Sequence, residues 1–228
     1  HRIHFHVDAA WGGPVLLSNR YRGLLRGIER ADSVTVDGHK QFYMPMSCGM
    51  FFFRNPEAMD AIAYHARYIN RPGSVDLGIK SLSGSREASS LILDSALKIM
   101  GTSGYSLLLE HGIRTAREFA DEIGRRRDFE LTSQPELNIL TYRIFPRSLK
   151  KKRANLGSGD HQEMRILCEE LNEININLQR HQREAGRSFV SRTTLKGTDD
   201  LPFERVVLRA VIMNPMTDIA ILREILDE

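Results

Sequence analysis

The sequence predicts an α/β chain in two parts: strands and helices from the later half of a doubly wound sheet, then a smaller α+β domain. Three observations predict it. Ile3, Phe5 and Val7 alternate with His4, His6 and Asp8, the period-2 pattern of a strand. Val34-Thr35-Val36 is a second short β-branched run, and it stops at the turn signal Asp37-Gly38. Beyond the long helical pattern at 105–127, short strands and helices follow one another closely.

Taken in order, the first strand ends at Asp8, before Ala9, Ala10, Trp11 and a double glycine. Residues 19–30 read as a helix with Leu24, Leu25 and Ile28 on its apolar face, interrupted by Gly23 and Gly27. The second strand follows, and the apolar run Gly49 to Arg54 reads as a third, buried strand. Asn55-Pro56-Glu57 opens a helix: Asn55 caps it, Pro56 takes its first turn, and Met59, Ile62 and Ala63 face inward. Residues 70–85 are loop-like. A helix over 86–100 carries Leu91, Ile92, Ser95 and Ile99 at helical spacing, and Gly101 and Gly104 separate it from the amphipathic helix 105–127. Next come strands at 129–132 and 138–144. The basic run 147–153 reads as a solvated loop. A helix over 161–183, strands at 188–195 and 206–213, and a helix over 216–226 capped by Thr217 or Asp218 complete the chain.

Bulk properties narrow the function. A net charge of +3 on 228 residues does not argue for nucleic acid. Two cysteines, Cys48 and Cys168, lack metal-ligand spacing and suit a reducing, cytoplasmic setting. No apolar run is long enough to span a membrane, so no membrane partner is expected. There is no signal-peptide pattern, and His1 falls inside what reads as a strand, so the chain is expected to be a piece of a longer polypeptide.

The chemistry lies at the two strand ends. Asp37-Gly38-His39-Lys40 presents a histidine and a lysine where the second strand stops. A desolvated lysine amine can form a Schiff base with an aldehyde, and a surface cation is the bland alternative. Asp8 sits at a strand's carboxyl end, where open α/β sheets bind ligands. A carboxylate there can pair with a pyridinium nitrogen and keep it protonated, while Ala10 is small enough for a flat ring to lie against it.

Together, "HVDAAWGG" and "DSVTVDGHK" resemble the group II pyridoxal-phosphate (PLP)-dependent amino acid decarboxylases. "SGSR" at 83–86 and "LRAVIMNP" at 208–215 add to the likeness, which extends over nearly the whole chain. The likeness is greatest to bacterial members of the glutamate or aspartate α-decarboxylase type; diaminobutyrate and aromatic amino acid decarboxylases are the alternatives within the family. The resemblance implies a fold type I, aminotransferase-like large domain, of which the chain holds the second half (1–112), followed by the small C-terminal domain (113–228). It also implies pyridoxal 5'-phosphate as cofactor and a homodimer with sites at the subunit interface. Lys40 then forms the internal Schiff base and Asp8 pairs with the ring. His39 lies against the cofactor phosphate, Ser85 reaches the phosphate of the neighbouring subunit, and Arg209 takes a substrate carboxylate. Read alone, Ser85 is an anion-binding or merely capping serine at a helix start, and Arg209 a half-exposed strand arginine. His6 is either a hydrogen-bonding neighbour of the site or a packed core histidine.

Two departures and two rivals stand beside this reading. Related decarboxylases carry a tyrosine on a mobile loop that protonates the product, and residues 70–83 here contain none. The aromatic that stacks on the cofactor, and most phosphate ligands, would precede His1. His4, His6 and Asp8 on one strand face would suit a metal-dependent hydrolase, although later strand ends supply no matching ligands. A fragment acting only as a dimerisation or scaffold piece is the other rival.

Overall fold

The computed structural model describes residues 3–65, 68, 71, 73, 77–81, 87–157, 159–197 and 203–228. The chain divides into two compact units, His1–Leu109 and Glu110–Glu228.

In the first unit, β1 (His6–Asp8), β2 (Ser33–Asp37) and β3 (Gly49–Phe53) form a sheet in that order. β1 and β2 are parallel, with His6 opposite Ser33 and Asp8 opposite Thr35. β3 departs from the expected third crossover strand, because it pairs antiparallel with β2. The link 38–48 contains no helix, and a parallel return needs a crossover of about a dozen residues or more. Nor is β3 buried: Phe51 and Phe52 are each 52% exposed. It occupies the edge of the three-stranded sheet.

The helix expected over 19–30 is replaced by short 3-10 turns at Arg22–Leu25 and Ile28–Arg30. Gly27 between them has φ 95°, a left-handed conformation that a helix cannot continue through. Asn55 caps as expected, its Oδ1 accepting from Glu57 N at 3.0 Å. The helix it starts is a 3-10 segment, Pro56–Ile62, and Ile62 points outward rather than inward. The helices expected at 86–100 and 105–127 appear as one element, α1 (Ser89–Arg125), interrupted at Gly101, where φ is 62° and ψ 179°. In its first part Leu93 is buried, while Leu91, Ile92 and Ile99 are exposed.

The second unit is built on a four-stranded antiparallel sheet of β4 (Phe129–Ser133), β5 (Ile139–Ile144), β6 (Ser191–Leu195) and β7 (Arg205–Val211), in the order β4-β5-β7-β6. Alternation along β5 sends Leu140 and Tyr142 to one face, Arg143 and Phe145 following the opposite phase. Leu140, Tyr142 and Leu208 pack with Ala116, Phe119 and Ile123 of α1 and with Leu222 and Leu226 of α4 (Ile219–Asp227). Phe145 packs with Leu149 of α2 (Arg147–Ala154) and with Leu167 and Leu171 of α3 (His161–Ala185).

α2 corrects the reading of 147–153 as a loop. Leu149 is buried, and Lys150 Nζ donates to the carbonyls of Arg127 (2.8 Å) and Phe129 (2.6 Å). Arg153 reaches Glu130 at 3.3 Å. Lys150 and Arg153 thus bind this unit's own backbone and carboxylate. α4 is capped by Asp218, which accepts from Ile221 N at 3.0 Å.

Candidate functional site

The carboxyl ends of β1 and β2 lie side by side because the two strands are parallel and in direct register. The pairing continues past β1: Ala9 N donates to Thr35 O (3.0 Å), and Asp37 N donates to Ala10 O (3.1 Å). The segment bearing Asp8 and Ala10 is therefore tied by backbone bonds to the strand that leads into Lys40. Asp8 is exposed, with Oδ1 accepting from Ala10 N at 3.1 Å, and Ala10 is half-buried. Gln41, buried directly after Lys40, donates its Nε2 to Trp11 O at 2.9 Å and fastens the two loops a second time.

The turn after β2 is held by Cys48. Its carbonyl accepts from Gly38 N (2.8 Å) and His39 N (3.1 Å). Only glycine fits at 38, since a Cβ there would lie 2.5 Å from Cys48 Sγ. The chain then bends back, with Tyr43 N donating to Lys40 O (2.9 Å) and Met44 N to Gly38 O (3.0 Å). Tyr43 takes a left-handed φ of 59°, and burial raises its phenol above the ordinary value. Phe42 is anchored by Tyr105 of α1, whose hydroxyl donates to Phe42 O (3.2 Å) and whose ring meets the Phe42 ring edge-on at 5.2 Å.

Lys40 Nζ lies 2.7 Å from Asp37 Oδ2, and His39 Nε2 is 3.7 Å from the same oxygen. His39 Nδ1 sits 2.8 Å from Cys48 O and 3.2 Å from Cys48 N, so its tautomer sets which bond it makes. Sequence reasoning missed Asp37 as a functional group and took it only as a turn residue. The available signal was its place three residues before the lysine.

His6 is exposed rather than packed in a core. Its Nδ1 and the Nε2 of His4 each lie 2.8 Å from Ser33 Oγ, and its ring stacks on Phe51 at 5.5 Å. Among the described residues no three His, Cys, Asp or Glu side chains gather as a metal ion would require. Ser85 lies outside the described residues, as does half of 70–83. Arg209 stands on β7 in the second unit, where it lines a cavity of about 380 Å³ with Phe189, Ser191, Asn214 and Thr217. Its backbone carbonyl accepts from Ser191 Oγ at 2.8 Å.

The model of the pyridoxal-dependent decarboxylase conserved domain matches residues 1–145. Aspartate 1-decarboxylase of Aliivibrio fischeri is 47% identical over 225 residues, covering 99% of this chain and 41% of that relative. L-2,4-diaminobutyrate decarboxylase of Acinetobacter baumannii is 35% identical over 146 residues, 62% of this chain and 29% of its own length. The crystal structure of mouse CSAD superposes with a TM-score of 0.82 at 28% identity, over 99% of this chain and 44% of that one. The chain thus spans less than half the length of these relatives. Its fold is the aminotransferase-like fold of type I, represented here in part. The alignment reaches through the β1 and β2 ends and onward into the second unit, and from it we conclude that the chain belongs to the pyridoxal-dependent decarboxylase family.

Proposed function

We propose that this chain carries the lysine-bearing part of a PLP-dependent amino acid α-decarboxylase, a lyase acting on aspartate. The observation that carries the reading is the Ala10–Asp37 backbone bond, which sets Asp8 and Ala10 beside the turn that holds Lys40. Aspartate as substrate rests on the 47% identity to aspartate 1-decarboxylase.

The residues present suit the cofactor. Lys40 is an amine with its side chain 35% exposed, Asp8 an exposed carboxylate, and Ala10 a small neighbour on the same edge. When bound, pyridoxal phosphate supplies an electron-poor ring that accepts the electrons left by the departing carboxylate. Lys40 gives the amine for covalent attachment. Asp8 holds a proton on the ring nitrogen, without which the ring is a poor acceptor. Ala10 leaves room for the ring to lie flat, and His39 serves the phosphate. Arg209 presents a bidentate donor to a substrate carboxylate. The proposal includes a homodimer in which Ser85 reaches the neighbouring subunit's cofactor phosphate. It also includes a cytoplasmic setting, supported by the free thiols of Cys48 and Cys168. Among the described residues no helix is long and apolar enough to cross a membrane.

The test is borohydride reduction with pyridoxal phosphate followed by peptide mapping. It is made on this chain and on a polypeptide of the relatives' full length that contains it. The expected result is a reduced adduct at Lys40, absent in Lys40→Ala; no adduct at Lys40 in either polypeptide overturns the reading. Carbon dioxide release from aspartate, glutamate, diaminobutyrate and aromatic amino acids then fixes the substrate. Aspartate should be turned over fastest.

A further inference from the structure

Asp37 is placed as a turn residue, yet the turn does not use its side chain. The backbone donors of Gly38 and His39 go to Cys48 O, and Lys40 N points to the Asp37 backbone carbonyl at 3.4 Å. An aspartate in a turn ordinarily caps nearby backbone N–H groups. Here the carboxylate, 15% exposed, is directed instead to Lys40 Nζ at 2.7 Å, with His39 Nε2 next at 3.7 Å. A free lysine side chain samples many rotamers and loses much entropy when confined. The Asp37 bond confines this one at the carboxyl end of β2, where Asp37 N also donates to Ala10 O.

We propose that Asp37 is a positioning residue that holds the Lys40 amine at the strand end, ready for the cofactor aldehyde and recaptured whenever turnover frees it. The proposal rests on the PLP reading given above. Asparagine would serve the turn as well as aspartate does, so Asp37→Asn isolates the charge.

Two labels separate the pairing from the cofactor chemistry. Trace acetic anhydride, a small reagent with no affinity for the site, is read at Lys40 relative to Lys98, whose side chain is 75% exposed in the same unit. Pyridoxal phosphate with borohydride is read at Lys40 on the same preparations. Asp37→Asn should raise the Lys40:Lys98 acetylation ratio about three- to fivefold and lower trapped pyridoxal phosphate at Lys40 by a similar factor. That is the size expected for one charge-assisted hydrogen bond partly screened by solvent. Asp37→Glu should restore both in part. Loss of structure would also free Lys40, whose side chain is 35% exposed against 75% for Lys98, and would lower trapping, so both labels are read only on variants whose urea midpoint, followed by Trp11 fluorescence, matches the parent. An unchanged acetylation ratio in Asp37→Asn overturns the pairing, and undiminished trapping in that variant overturns the positioning role. If the unsubstituted chain and its full-length form trap nothing at Lys40, the cofactor reading falls, while the acetylation ratio still decides whether Asp37 governs this amine.

Discussion

Replacing Gly38 by alanine tests the construction of the lysine-bearing turn. The new Cβ would lie 2.5 Å from Cys48 Sγ, 3.3 Å from its Cβ and 3.4 Å from its carbonyl oxygen. The sulfur contact is roughly 1 Å short of ordinary van der Waals separation. Cys48 is 5% exposed and its carbonyl carries the Gly38 and His39 N–H bonds, so a retreat of Cys48 stretches both. Overpacking of this kind costs about 1–3 kcal/mol. Cys48→Ala removes the sulfur and leaves only the two milder contacts. The double variant Gly38→Ala/Cys48→Ala should therefore be more stable than the sum of the single effects, by about 1 kcal/mol. The assay is urea unfolding followed by the fluorescence of Trp11, the single tryptophan, which lies in the same unit. Trapped pyridoxal phosphate at Lys40 should fall in Gly38→Ala and recover in the double variant. A single variant as stable as the parent, or effects that add to within about 0.5 kcal/mol, would refute the reasoning.

Two further predictions concern the second unit. Glu130→Gln removes the carboxylate 2.5 Å from Nε of Arg143, a fully buried residue whose Nη1 and Nη2 have no other partner. The loss should be about 3 kcal/mol, the low end for breaking a buried pair because Glu130 keeps 27% exposure. Adding Arg143→Met should recover most of it in a urea titration, and a further loss would sink the idea. Burial pushes the Tyr142 phenol far above its ordinary value. Its contribution to stability is complete below pH about 10, where the unfolded phenol titrates, and is lost as pH rises beyond that. Tyr142→Phe should therefore flatten the alkaline fall in stability, and an unchanged slope would refute this.

Sequence legibility tracked how local each cause was. β1 and β2 could be read because alternation and an Asp-Gly stop are properties of neighbouring residues. Gly27, visible in the sequence, breaks residues 19–30 into turns more completely than an interruption within a helix. The direction of β3 follows from the short link 38–48, a length argument that the apolar run Met50–Phe53 obscured by suggesting a buried crossover strand. α2 was hidden by the charge of 150–153, of which Lys150 and Arg153 find their partners, the 127–129 backbone and Glu130, elsewhere in the chain. At the candidate site, Lys40, His39, Asp8 and Ala10 were named from sequence, and β1 and β2 bring their backbones together. Asp37 was missed because its partner is chosen by side-chain direction in three dimensions. Arg143 gave no signal at all: one arginine in an apolar strand says nothing about whether it is covered.

Ser33 has a consequence for how the two neighbouring imidazoles behave. A hydroxyl has one proton to give, and Ser33, 2% exposed, offers its oxygen to His4 and His6 at equal distances of 2.8 Å with almost no solvent able to substitute. When the hydroxyl donates to one ring nitrogen, the other ring must be the donor to it. The tautomers of His4 and His6 are then written as a joint state rather than two independent ones. Both rings can donate to the hydroxyl, which has two acceptor lone pairs, but both cannot accept from it at once. An isotope or chemical-shift change placed on either ring should be reported by both, and Ser33→Ala should uncouple them.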